Sequence, residues 1–315
     1  MFSYIGRRIL FTIPAMLAMS LIVFFIIRLV PGDPVLVILG MRANEESIAR
    51  VREQLNLDEP MVQQYINWLS GVLRGDLGED FRTGESITHM LQTRFPVTLE
   101  LAILALLIAA GIGIPLGVLA ATRRGVAEHV ATVFNTIGIS IPDFWLGVML
   151  ILLFSANLRW LPSSGYVPMS ESVVDNLKHM LLPALALGIG FAAVVSRTAY
   201  AAVTEALQQP YVQTARSKGL REQSVVIGHV LKNASIPIVT VLGMQLGYAL
   251  GGAIVIDYVF SLPGLGQLTL NAVLARNYPV VQGAVLLITF VFMLSNILTD
   301  SLYAFLDPRI RQAGR

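Results

Sequence analysis

Tyr211-Val212-Gln213-Thr214-Ala215-Arg216-Ser217-Lys218-Gly219-Leu220-Arg221 is a polar, basic segment set between two long apolar runs. Two readings fit its charges. In one it is a solvated loop joining two membrane helices. In the other it is a short helix shaped for a partner. The four-residue spacing of Ala215 and Gly219 would then put two small residues on one face, where another surface could approach closely.

The flanking sequence fixes the class of chain. Its 315 residues are 55% hydrophobic and 13% charged, with a mean hydropathy of +0.69, whereas soluble domains carry roughly a quarter charged residues. An all-α, polytopic membrane protein follows. Apolar runs long enough to cross about 30 Å of hydrocarbon lie near 9–29, 97–121, 131–156, 180–204, 235–258 and 282–306, which predicts about six transmembrane helices. The third run contains Pro142 and Asp143, so it is expected to be kinked or broken, with its freed backbone groups satisfied inside the protein or in a wet cavity. The first run follows Arg7 and Arg8. It is too long for a signal-peptide core, and Arg28-Leu29-Val30-Pro31 makes a poor cleavage site, so it reads as a retained helix.

Three regions result: an N-terminal transmembrane helix over 1–30, an extracytoplasmic helical region over 31–96, and a five-helix core over 97–315 that carries the cytoplasmic segment 205–234. Orientation comes from basic residues in the short connections. With the N-terminus inside, the cytoplasmic side holds Arg7, Arg8, Arg123, Arg124, Arg216, Lys218, Arg221, Lys232, Arg309, Arg311 and Arg315, and the short outer loops hold only Arg159, Lys178 and Arg276. Both termini are therefore expected in the cytoplasm. The outer 31–96 region shows helix-like patterning over Glu45–Leu57 and Met61–Leu73, with Tyr65, Ile66, Trp68 and Leu69 as an apolar side. Its aromatic and aliphatic content predicts short helices on the outer surface.

Several chemistries are absent. None of Lys178, Lys218 and Lys232 follows a glycine, so there is no nucleotide-binding P-loop, and neither a His-Glu-x-x-His nor a Gly-x-Ser-x-Gly motif occurs. There is no cysteine, and His89, His129, His179 and His229 lack ligand spacing, so no metal site is predicted. A net charge of +2 gives no reason to expect nucleic acid. Arg28, Glu100 and Asp257 lie near predicted outer ends, where snorkelling explains them. Asp143, Arg197 and Asp300 lie deeper and are the candidate pathway-lining residues.

A membrane chain with no energy source of its own, but with a cytoplasmic segment fit for docking, resembles the permease subunit of bacterial ATP-binding-cassette importers. The branch it is similar to handles dipeptides, oligopeptides, nickel and glutathione. That family's cytoplasmic signature is Glu-Ala-Ala, three residues, Gly, nine residues, then Ile-x-Leu-Pro. Here Gln213-Thr214-Ala215 takes the first place, Gly219 the second, and His229-Val230-Leu231-Lys232 follows at the same spacing. Pro31-Gly32-Asp33-Pro34, Gly75-Asp76-Leu77-Gly78, Pro263-Gly264-Leu265-Gly266, Tyr278-Pro279-Val280-Val281-Gln282-Gly283 and Asp307-Pro308-Arg309-Ile310-Arg311 match the same branch in order.

The resemblance implies a type I importer permease fold in the bacterial inner membrane and half of a translocation pathway for peptides, with nickel chelates or glutathione as alternative cargo. It implies a homologous second permease, two ATPase subunits and a substrate-binding protein as partners. This chain would carry no cofactor, with ATP and Mg²⁺ held in the ATPases. ATPase coupling would fall to Tyr211, Gln213, Thr214, Ala215, Arg216, Lys218, Gly219, Leu220 and Arg221, followed by His229, Leu231 and Lys232, with the basic side chains pairing with acidic groove residues. Leu265, Leu268 and Leu270 suggest a short amphipathic element at the outer surface. Two rivals remain. A secondary transporter would show buried mid-membrane carboxylates and repeat symmetry, and an intramembrane enzyme would show a nucleophile–base pair.

Overall fold

In lipid every backbone N–H and C=O must find a partner within the chain, and the long apolar runs accordingly become helices. The computed structural model describes residues 2–26, 35, 44–54, 59–123 and 125–306. Among them there is no β-strand, only one isolated bridge between Glu79 and Ser86. The Pro31–Pro34 and Asp307–Arg311 motifs and Arg28 lie outside the described residues, as does the side chain of Asp300.

Helix α1 (Phe2–Ile26) precedes two short helices, α2 (Glu45–Gln54) and α3 (Met61–Leu73). Then come α4 (Ile87–Thr122), α5 (Val126–Ser140), and α6 (Asp143–Leu150), which runs on as π-helix through Ile151–Asn157. Helix α7 (Val173–Leu207) is followed by α8 (Pro210–Ser217) and α9 (Glu222–Val225). A π-helical turn, Val226–Val230, joins α9 to α10 (Leu231–Gly252). The chain closes with α11 (Ile254–Val259), α12 (Leu265–Leu274) and α13 (Tyr278–Leu306).

Among the described residues, four helical stretches are long and apolar enough to span a membrane: 87–122, 173–207, 222–251 and 278–299. The pair α5 and α6, bent by 101°, supplies a fifth. Helix α1 has 25 residues, but its apolar part, Leu10–Phe25, rises only about 24 Å at 1.5 Å per residue, so among the described residues four or five of the six expected spans meet the length of the hydrocarbon layer.

The break falls at Pro142, where extended backbone separates α5 from α6, as the sequence predicts. Two boundaries differ from expectation. Helix α4 begins at Ile87, so the division drawn at residue 96 falls inside a continuous helix that carries Pro96 and Pro115 in its interior. The second half of the 205–234 segment is also helix. It continues from Glu222 through the π-turn into α10, which is apolar from its start.

Helix α7 is the hub. Its Leu182, Ala184, Ala186, Leu187, Phe191, Ala192, Val195 and Ala199 are buried in one cluster with Val97, Leu101, Ala102, Ala105 and Ala109 of α4. The two axes approach closely because the interface is lined by small residues. A Cβ at Gly113 would lie 2.9 Å from the Val195 Cβ, and one at Gly188 would lie 2.8 Å from the Ile108 Cβ. Lipid offers no hydrophobic drive for helix association, so such close van der Waals contact is what binds the pair.

Helix α3 packs on α1. Phe24 stacks edge-on against Tyr65 with centroids 5.2 Å apart, and the Ser20 and Tyr65 hydroxyls lie 2.7 Å apart in a hydrogen bond. Trp68 joins this contact, but Ile66, expected on the same apolar side, is 52% exposed. Gln64 is buried instead, its amide donating to the Glu59 carbonyl at 2.7 Å.

Candidate functional site

Three arrangements merit description, and the first is α8. Pro210 at its first position has a preset φ and no N–H to waste, so the helix starts there readily. It ends in a Schellman turn: the Leu220 N–H reaches the Ala215 carbonyl and the Gly219 N–H donates to the Arg216 carbonyl at 2.9 Å. Gly219 takes φ +77°, a left-handed conformation open to glycine.

The expectation that Ala215 and Gly219 share an outward helical face is corrected here. Gly219 lies past the helix end, and Ala215 is buried against its own protein with Val212. They join Val203 and Ala206 of α7, Val225, Val230 and Ala234, with Val118, Ala121 and Leu231 at the margin. Small and β-branched residues let the inner face of α8 pack into this cluster beside the end of α7. Tyr211, Gln213, Thr214, Arg216, Lys218, Gly219, Leu220 and Arg221 are left on the open side.

Arg216 is not free for a partner's acidic groove. Its guanidinium donates Nε–H to Glu222 Oε2 at 3.1 Å and also reaches Oε1. Both side chains are exposed, so this pair orients more than it stabilises. Lys218 and Arg221 remain. Downstream, His229 and Lys232 are open while Val230 and Leu231 pack inward. No atom lies within 4 Å of a Cβ built on Gly219, so only its backbone angle restricts substitution. Gly219→Val should therefore destabilise the turn by about 1–3 kcal/mol, and Gly219→Asn, which tolerates that angle, by much less. Limited proteolysis at 216–222 in detergent would rank the two, and equal cutting would contradict this account.

The second arrangement is a polar cleft of about 480 Å³ between α5 and α7 at the same end of the bundle. Arg197, Glu128, Thr132, Asn135, Thr136 and Tyr200 line it. Tyr200 OH donates to Glu128 Oε1 at 2.8 Å. Of the three candidate pathway residues, the structure puts Arg197 here. Asp143 stands apart, at the first turn of α6, where a Cβ on Gly190 would lie 2.9 Å from its Oδ1. The sequence reading missed the α5 residues. The signal was available: Glu128, Thr132, Thr136 and Ser140 recur every fourth residue on one face of a helix inside an apolar span.

The third lies at the opposite end. Asp257, expected to snorkel, is completely buried, and its Oδ2 accepts the Gly266 N–H at 3.0 Å. Thr98 Oγ1 accepts the Leu265 N–H at 2.8 Å. The two side chains satisfy the first amides of α12, whose Leu265 and Leu268 are buried rather than displayed outward. Asp80 is likewise buried, taking hydrogen bonds from Asn277 and from Thr83 Oγ1, and so ties residues 75–86 to the loop before α13. Glu100 accepts from Tyr166 OH at 2.8 Å instead of reaching for solvent. Burial and that bond push the Tyr166 hydroxyl up to about 12, so it stays a donor through the physiological range.

A broken span, a central α7 gripped through small residues, and one short amphipathic helix packed beside the end of α7 together have the build of a multi-pass membrane protein. The chain belongs to the family of binding-protein-dependent transport system inner membrane components, whose profile matches residues 113–312, with the family's N-terminal profile over residues 1–102. It is 39% identical to the dipeptide transport system permease protein DppB of Escherichia coli K12 and 39% identical to the di/tripeptide transport system permease protein DppB of Pseudomonas aeruginosa. Both alignments cover 99% of each chain. In fold it is similar to a chain of the inward-facing MetNI methionine ABC transporter, with a TM-score of 0.58 and 19% identity over 69% of this chain and 96% of that one. It is thus a multi-pass inner-membrane permease subunit.

Proposed function

We propose that this chain forms half of the pathway of an ATP-driven importer of short peptides. A second, homologous permease completes the pathway, and a substrate-binding protein delivers peptide from outside. Two ATPase subunits dock on α8 from the cytoplasm and hold the ATP and Mg²⁺, so the chain itself does no catalysis. Both termini are cytoplasmic, as the basic residues of the short loops require. Its likeness to a dipeptide and a di/tripeptide transport system permease protein supports the cargo.

The observation that carries this reading is the two-sidedness of α8. Its inner face, Val212 and Ala215, is buried in one cluster with Val203 and Ala206 of α7 and with Val225, Val230 and Ala234. Its outer side leaves Tyr211 (37%) open, with Leu220 (44%), Lys218 and Arg221 open just past the helix end. A push on that outer side would reach α9, which packs directly on α8, and through the π-turn α10. Arg197, Asp143 and, by the sequence alone, Asp300 are proposed to line the pathway. Tyr211→Asp with Leu220→Asp should leave the protein in the membrane yet lower ATPase copurification and ATP-driven dipeptide uptake at least about 10-fold, a loss near 1.4 kcal/mol of docking energy. Wild-type uptake by the double variant would sink the assignment.

A further inference from the structure

The α5–α7 cleft is a concave, polar surface at the α8 end of the bundle. It carries both signs of charge. Glu128 is held in place by Tyr200 OH at 2.8 Å. Arg197 is exposed and makes no ion pair among the described residues. Asn135 Oδ1 is buried and has no hydrogen-bond partner. A fixed carboxylate, an open guanidinium and an unpaired amide oxygen are what a small zwitterion would satisfy, and about 480 Å³ falls within the range of small-ligand sites.

We propose that this cleft is a resting site for a short peptide with free ends. Arg197 grips the peptide's terminal carboxylate, for which its planar fork is suited, and Glu128 with Asn135 Oδ1 accepts from the terminal ammonium. The apolar stripe of the same helix, Val126, Val130, Val133 and Ile137, is exposed on its other side and suits lipid, so the polar face is directed to the cleft. The assignment rests on the peptide-importer reading. It adds that this chain itself reads both ends of the cargo, in the half of the pathway beside α8.

The test uses the assembled importer, both permeases and both ATPases, in nanodiscs without binding protein, with radiolabelled dialanine as the probe. The wild-type complex should bind dialanine saturably, and N-acetylated and C-amidated dialanine each at least about 10-fold more weakly, one charge-assisted contact being lost in each. Arg197→Gln should erase the preference for a free carboxylate and keep that for a free amine, and Glu128→Gln should do the reverse. A merely structural role would weaken all three ligands alike, and that result overturns the site. So would loss of the second permease from the Arg197→Gln complex, which would make the cleft a subunit interface. ATP-driven uptake by wild type alongside unchanged end preferences in both variants overturns the site alone. Failure of uptake for any peptide overturns the importer reading and the site with it.

Discussion

Gly117→Leu is expected to remove most of the folded protein. A Cβ at this position would lie 2.7 Å from the Ala199 Cβ and 3.0 Å from the Tyr200 nitrogen, and closer still to the Ser196 carbonyl oxygen. Two of these atoms are backbone of α7 and cannot turn aside, so α4 and α7 must separate. Separation would loosen the contacts of Ala105, Ala109 and Gly113 along the same seam. The cost should reach the upper end of overpacking, about 3 kcal/mol. Gly111→Leu is the matched control: it lies in the same helix, is exposed, and has no atom within 4 Å of a Cβ. There leucine should be neutral or gain up to about 1 kcal/mol of helix propensity. Size-exclusion profiles and thermal melts in detergent compare the two, and a Gly117→Leu protein that elutes and melts like wild type would refute the packing account.

The second large effect belongs to Asp257. Asp257→Leu removes the acceptor for the Gly266 N–H, in a fully buried place, and adds bulk besides. An orphaned buried amide costs about 1–3 kcal/mol, and the fit around it is close. A Cβ on Gly264 or Gly266 would run into the Asp257 carboxylate, so these glycines and this carboxylate have to be kept together. The first turn of α12 should fray, and with it the packing of Leu265 and Leu268 on Ile87 and Leu91. Asp257→Asn, which still presents an oxygen, should lose far less. Melting temperatures of the two variants in detergent decide the matter: equal losses would mean that charge, and not acceptance, is what Asp257 supplies.

These two positions mark how far a sequence can be read. The spans were legible because hydropathy over about 20 residues decides where a helix crosses lipid, and the break at Pro142 because proline acts on its own backbone. The short polar helix was legible too, through its polarity between apolar runs. Its detail was not. The four-residue spacing of Ala215 and Gly219 suggested a shared outward face, but the helix ends at Ser217, and a glycine in the left-handed conformation terminates a face rather than extending it. The stripe Glu128, Thr132, Thr136, Ser140 was written plainly in the sequence and went unread because the span around it is apolar overall.

What the sequence determined by itself was local: which segments are helical, where they break, and that one basic helix lies outside the hydrocarbon. Tertiary structure alone decided the rest. It buried Asp257 against the start of α12, turned Ala215 inward, and brought Tyr200 against Glu128, 72 residues away in the chain. The reason is physical. Hydropathy and proline act on the segment that contains them, whereas burial and pairing depend on which distant segment comes to cover a residue, and no single stretch of chain records that.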